Sequence, residues 1–196
     1  MQPSAPALCR RTLLGGLAAP FALGGGGLAV PGRAVAAETT AAAAGRRRER
    51  AISLRHLHTG ETARVVYYAD GRYLRESLRA VDRVLRDWRA DRARPTDPGL
   101  LDLLWALRLR LGTGDRPVEV ACGYRTPETN AMLRRRDAAG VARDSLHLRG
   151  MAVDISVPGR SLREVRAAAV GLRRGGVGHY PRSGFVHVDT GPVRYW

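Results

Sequence analysis

At 196 residues the chain can hold one domain with a proper core. Its 33 basic side chains outnumber the 18 acidic ones, and the formal charge of +15, carried by arginine, favours anionic polymers as partners. Only two cysteines occur, Cys9 and Cys122, and the first lies in a segment expected to be removed, which excludes a disulfide within the mature chain.

Residues 1–36 read as an export signal. Arg10-Arg11 precedes an apolar, Gly/Ala-rich run to about Val30, and Ala34-Val-Ala36 gives a small-residue cleavage pattern, which together suggest the twin-arginine route and a periplasmic destination. Glycines and a proline interrupt the apolar run, which argues against a retained membrane anchor. Loss of Arg10, Arg11 and Arg33 lowers the formal charge by three, from +15 to +12. Residues 37–50 are small, polar and charged and read as a flexible linker, so the folded domain is expected over 51–196.

Within that domain, Ala51–Leu57 and Ala63–Tyr68 flank His58-Thr-Gly-Glu61 as a hairpin, with His56 and His58 read as structural or solvent-facing. Leu74, Leu78, Val81, Leu85 and Trp88 recur at helical spacing, predicting a helix of about four turns. Pro98 opens a second helix that buries Leu100, Leu101, Leu104, Leu107 and Leu111. Val118–Cys122 reads as a buried strand with Cys122 as a structural thiol. Thr126-Pro127 starts a third helix to about Ala138, and the capping-box match Ser161-Leu-Arg-Glu164 starts a fourth to about Arg174. Helices and short strands joined by short turns predict a single α+β domain, an antiparallel sheet with flanking helices.

The chemistry concentrates in two segments, Ser145-Leu-His-Leu-Arg-Gly-Met-Ala-Val-Asp154 and Gly184-Phe-Val-His-Val-Asp189. Two imidazoles, His147 and His187, with the Asp154 carboxylate make a three-ligand set that leaves a fourth zinc position open. Seven residues of extended strand would separate His147 from Asp154 by roughly 23 Å, so the chain must fold back between them, and Gly150 suits that turn. Met151–Val157 then alternates, with Asp154 on its small, polar face. Phe185–Asp189 alternates too, and the Cα atoms of His187 and Asp189 on one face are roughly 6.5 Å apart, near enough for Asp189 to orient the imidazole or to act as a base. Arg125, leaving a strand just before a helix, could bind a carboxylate or an oxyanion, or form a surface ion pair with Glu128. His179, after the glycine turn 175–178, either lines the cleft or is an exposed loop histidine.

Ser145-x-His147-x-x-Gly150-x-Ala152-x-Asp154 with the later His-x-Asp resembles the LAS-type zinc peptidases, which include M15 D-Ala-D-Ala carboxypeptidases and the hedgehog metal-binding domain. It is most similar to the K-type murein endopeptidases. Leu-His-Thr-Gly-Glu at 57–61, Asp-Pro-Gly-Leu at 97–100, Gly-Tyr-Arg at 123–125, Gly-Gly-Val-Gly at 175–178 and the close at 180–191 with a terminal Trp extend the likeness over almost the whole mature chain. The resemblance implies a hedgehog/D-Ala-D-Ala peptidase-like fold. It implies one zinc ion held by His147, Asp154 and His187, a substrate-orienting Arg125, and hydrolysis of peptide cross-links in peptidoglycan. Where several LAS peptidases carry an acidic base three residues before the last histidine, this chain has Gly184, so Asp189 and then His179 are the candidate bases.

The competing reading is a non-catalytic zinc-containing module that binds peptidoglycan. Nucleic acid is not expected as a partner, since no reading motif accompanies the charge. A monomer without stable membrane insertion after signal cleavage is expected, with D,D or L,D cross-link specificity left open.

Overall fold

The computed structural model describes residues 49–137 and 140–196, so the expected signal and nearly all of the expected linker lie outside the described residues. Among the described residues four α-helices and eight strands form one α+β unit: β1 (Arg50–His56), β2 (Thr62–Ala69), β3 (Arg72–Tyr73), α1 (Arg75–Val84), α2 (Pro98–Leu111), β4 (Val118–Cys122), α3 (Pro127–Arg136), β5 (Ala152–Ser156), α4 (Leu162–Leu172), β6 (Gly176–Tyr180), β7 (Phe185–Asp189) and β8 (Arg194–Tyr195), with a 3-10 turn at Leu146–Arg149. No helix among the described residues is long and apolar enough to cross a membrane.

The strands form a single sheet in the order β3-β2-β1-β4-β5-β7-β6-β8. Most neighbours are antiparallel, but β1–β4 and β6–β8 run parallel, so the sheet is mixed rather than wholly antiparallel. The parallel pair β1–β4 is possible because α1 and α2 lie between those strands in sequence and supply the crossover.

Alternation decides which face is buried. Val153 and Ile155 of β5 and Val186 and Val188 of β7 point to one side, where they pack with Val81 and Val84 of α1, Leu100, Leu101, Leu104 and Leu107 of α2, and Val165 and Ala169 of α4. Each fully buried leucine in this cluster contributes roughly 2 kcal/mol of apolar burial. Asp154, His187 and Asp189 necessarily face the other side.

Helix ends follow the expected chemistry. Asp97 accepts from the Gly99 amide with Pro98 beside it, and α2 stops at Gly112 in the left-handed region (φ 61°). The capping box of Ser161 and Glu164 forms at α4. The first helix is shorter than its periodicity predicts. It ends at Val84, and Asp87 instead pairs with Arg92 through backbone bonds while its carboxylate accepts from the Arg89 amide, which takes Trp88 out of the helix.

Candidate metal centre

The site is a row across the sheet. Asp154 on β5 is the direct antiparallel partner of His187 on β7, and Gly178 on β6 is the partner of His187 on its other side. Side chains directly opposite on one face are held close, which brings His187 Nδ1 to 2.9 Å from Asp154 Oδ1. His147 arrives from the 3-10 turn. Ser145 Oγ accepts from the His147 amide, and the turn closes at Gly150 (φ 69°), where a Cβ would also come within 2.6 Å of the Pro95 carbonyl oxygen. This is the fold-back that the spacing of His147 and Asp154 demands.

The three candidate ligand atoms form a small triangle. His147 Nε2 is 3.2 Å from His187 Nδ1 and 3.3 Å from Asp154 Oδ1. A tetrahedral ion with bonds of about 2.0–2.1 Å holds its ligands about 3.3 Å apart, so the donor set fits a zinc-sized cation. The outer nitrogens are fixed as such a centre requires. His147 Nδ1 lies 2.6 Å from the Gly123 carbonyl oxygen and His187 Nε2 lies 2.9 Å from Asp189 Oδ2, which leaves Nε2 of the first and Nδ1 of the second to face the triangle.

Electrostatics agree with this geometry. Burial holds the His147 imidazole below its ordinary value, against the pull of Asp154. Burial also works against a charged His187, but hydrogen bonds to Asp154 and Asp189 outweigh it and raise that imidazole. Burial likewise opposes ionisation of Asp154, yet the two histidines hold its carboxyl well below the usual carboxylate range. A neutral His147 and an ionised Asp154 are the forms in which these groups can donate to a cation.

Cys122 also offers an atom within 4.8 Å of ligand atoms of His147 and Asp154. Cys122, expected as a structural thiol on a buried strand, lies on β4 but turns to the site face. An irregularity between Val120 and Cys122 shifts the register of β4, so Cys122 pairs with Asp154 and joins the face that carries the site. Burial pushes its thiol up to about 12, so without a metal it stays protonated at neutral pH.

A family model described as peptidoglycan L,D-endopeptidase MepK, of the M15 type, matches residues 43–196. The chain belongs to this peptidase family. The peptidoglycan L,D-endopeptidase MepK of Escherichia coli K12 is 46% identical over 150 residues, 76% of this chain and 81% of the relative. The Shigella flexneri protein of the same name gives the same figures. A probable peptidoglycan L,D-endopeptidase MepK of Haemophilus influenzae is 40% identical over 147 residues, 75% of this chain and 78% of the relative.

The two candidate bases are displaced from that role by the geometry. Asp189 has no exposed surface, and both of its oxygens are engaged. Oδ1 accepts from the amides of Gly176 (3.0 Å) and Gly191 (2.8 Å) and from Arg194, and Oδ2 accepts from Arg194 (2.7 Å) and lies against His187. Burial disfavours its charge, but these bonds, His187 first, hold its carboxyl well below the usual range. It sits behind the imidazole, on the side away from the triangle, and steers the ring. His179 pairs with Val186, so it faces the helix side of the sheet, where its Nε2 is enclosed without a partner among the described residues. Strand parity gives the site face to Tyr180 instead.

Arg125 is where the sequence led one to look. It is buried, donates to Ser145 Oγ (3.2 Å) and through its backbone amide to the His147 carbonyl, and its Nε has no partner among the described residues. It makes no ion pair with Glu128 among the described residues. Asn130 holds the loop after α3, donating to the carbonyl oxygens of Ala142 and Arg143.

Above the triangle opens a cleft of about 430 Å³. Its lining includes His58, Arg89, Arg125 and Asp144, and Tyr180 and Trp196, the latter with its ring 5.4 Å from that of His187. Asp144 was missed from the sequence. It is exposed and bonds no other described residue, whereas the neighbouring cleft carboxylate Asp137 accepts from the Gly140 amide. Arg194, which clamps Asp189, had no sequence signal at all.

Proposed function

We propose that this chain is a zinc-dependent endopeptidase that hydrolyses L,D peptide cross-links of peptidoglycan. The observation that carries the reading is the triangle of His147, Asp154 and His187, with ligand atoms 2.9 to 3.3 Å apart at the floor of an open cleft. The bond type follows the names of the relatives at 40–46% identity. The open cleft favours a catalyst over a silent binding module.

When bound, zinc lowers the pKa of a water to about 7 and polarises a scissile carbonyl. The chain's residues do the rest. Gly123 and Asp189 hold the two imidazoles with their ligand nitrogens turned inward. The Arg125 guanidinium, desolvated and short of acceptors, takes a carboxylate of the substrate as a charge-assisted pair. Asp144 is the cleft carboxylate left free to accept a proton from water and return it to the leaving amine. Residues 1–36 act as the export signal, 37–49 as a linker that ends where β1 begins, and the enzyme works in the periplasm, its arginine-rich surface holding it on an anionic polymer.

The test is digestion of purified sacculi followed by separation of the muropeptides, alongside metal analysis. Wild-type protein should release L,D-linked products and carry one zinc per chain, and folded His147→Ala should do neither. A wild-type chain that binds sacculi and zinc but releases nothing would overturn the catalytic reading.

A further inference from the structure

The residue opposite the metal-facing histidine on β6 is a glycine for a steric reason. A Cβ on Gly178 would come within 2.6 Å of the Trp196 ring. β8 runs parallel to β6 with Tyr195 beside Val177, and Trp196, the next residue, lays its indole over Gly178. The ring therefore takes the position in the row that a side chain at 178 would hold, with its centroid 5.4 Å from that of His187. Its backbone fixes it there, donating to the Val177 carbonyl and accepting from the His179 amide.

From this seat Trp196 Nε1 donates to the Tyr180 hydroxyl at 2.8 Å. The Tyr180 ring is held independently by stacking on Phe185, its cross-strand partner (centroids 4.9 Å apart). A phenol oxygen that accepts from an indole N–H keeps its own O–H to give away. Among the described residues no acceptor takes that proton, and Tyr180 lines the same cleft as His187 and Arg125.

The geometry points to Tyr180 as a further catalytic residue, whose hydroxyl donates a hydrogen bond to the scissile carbonyl oxygen, with Trp196 as the positioning residue that aims it. This rests on the endopeptidase reading. In the step concerned the water oxygen bonds to the carbonyl carbon, and the carbonyl π pair moves onto its oxygen. The water proton goes to the base; the oxygen pair then re-forms the C=O bond as the C–N bond breaks and that proton reaches the departing amine. Tyr180 keeps its proton throughout and stabilises the oxygen on which charge develops, an interaction stronger in the transition state than in the bound substrate.

The test is a double-mutant cycle in the zinc-loaded full chain, with Tyr180→Phe, Trp196→Phe and both together. Phenylalanine at 180 retains the stacking on Phe185. Tyr180→Phe should lower kcat about a hundredfold with KM within about twofold, and should weaken a phosphinate analogue of an L,D-linked peptide, measured by calorimetry, by the same factor as kcat/KM. Trp196→Phe should cost about tenfold alone and nothing further in the Tyr180→Phe background. Bound zinc should remain at one per chain in every variant. Wild-type turnover and analogue affinity in Tyr180→Phe would overturn the assignment, as would a Trp196→Phe effect of equal size in both backgrounds. A wild-type chain that cleaves no cross-link would instead sink the endopeptidase reading.

Discussion

Replacing Asp189 by asparagine changes one oxygen for an NH₂ and removes one charge, and the structure fixes what that must do. With the amide nitrogen at the Oδ2 position, it faces Arg194 and His187, both of which need an acceptor. With the amide turned over, it faces three N–H donors, from Gly176, Gly191 and Arg194. Either way at least two hydrogen bonds to a charged group are lost in a position with no solvent access. Such bonds contribute about 1.5–3 kcal/mol each, so the loss spans about 3–6 kcal/mol. Arg194 keeps 43% of its side chain exposed and recovers some solvation, which puts the expected destabilisation near the lower end, about 3 kcal/mol. An NH₂ facing His187 Nε2 also moves the ring proton to Nδ1, the atom turned toward Asp154 and His147, so zinc affinity should fall by about 10- to 100-fold. Urea unfolding and chelator competition at neutral pH measure the two effects. The folded Asp189 carboxyl lies below its unfolded value, so its contribution is complete above the ordinary carboxylate range and disappears as pH falls through the depressed folded value. The gap between wild type and Asp189→Asn should therefore close in strong acid. Native zinc affinity together with less than about 1 kcal/mol of destabilisation would refute the account of Asp189 as the group that holds the ring.

Asp144→Asn should lower kcat by at least about a hundredfold while zinc content and KM stay near wild type in muropeptide assays. Gly123→Ala should destabilise by about 2 kcal/mol in thermal unfolding, because its Cβ would run into the Leu85 carbonyl. It should also weaken zinc binding, since the Gly123 carbonyl holds His147. Asp87 is buried, which opposes its charge, but hydrogen bonds from Thr129, Thr126 and the Arg89 amide outweigh burial and hold its carboxyl low. Wild-type stability should accordingly fall as pH drops below the carboxylate range, and Asp87→Asn should be less stable at neutral pH with a flatter acid profile in urea unfolding.

The convergence of His147, Asp154 and His187 was legible because each part of it obeys a local rule. Asp154 and His187 sit at polar positions of strands whose other face is apolar, and the distance from His147 to Asp154 requires the turn that Gly150 makes. The helix starts at Pro98, Thr126 and Ser161 were legible for the same reason. What escaped depends on partners distant in sequence. The register shift at Ala121 turns Cys122 toward the site, and nothing within Val118–Cys122 signals it. The parity of β6, which sends His179 to the helix side, is set by pairing with Val186 rather than by its own sequence. Asp189 shares a face with His187 as expected, but its saturation by Arg194 and two amides is a property of the folded loops around it.

The pairing of Asp154 with His187 makes the centre a gauge of correct assembly. A slip of one residue between β5 and β7 would turn the carboxylate to one side of the sheet and the imidazole to the other, and no cation could then be shared. Because 33 positions separate the two, tight capture of an ion must wait until that long-range zipper has closed in its proper frame. On the proposed zinc reading, metal uptake during refolding should report the moment at which the middle of the sheet locks.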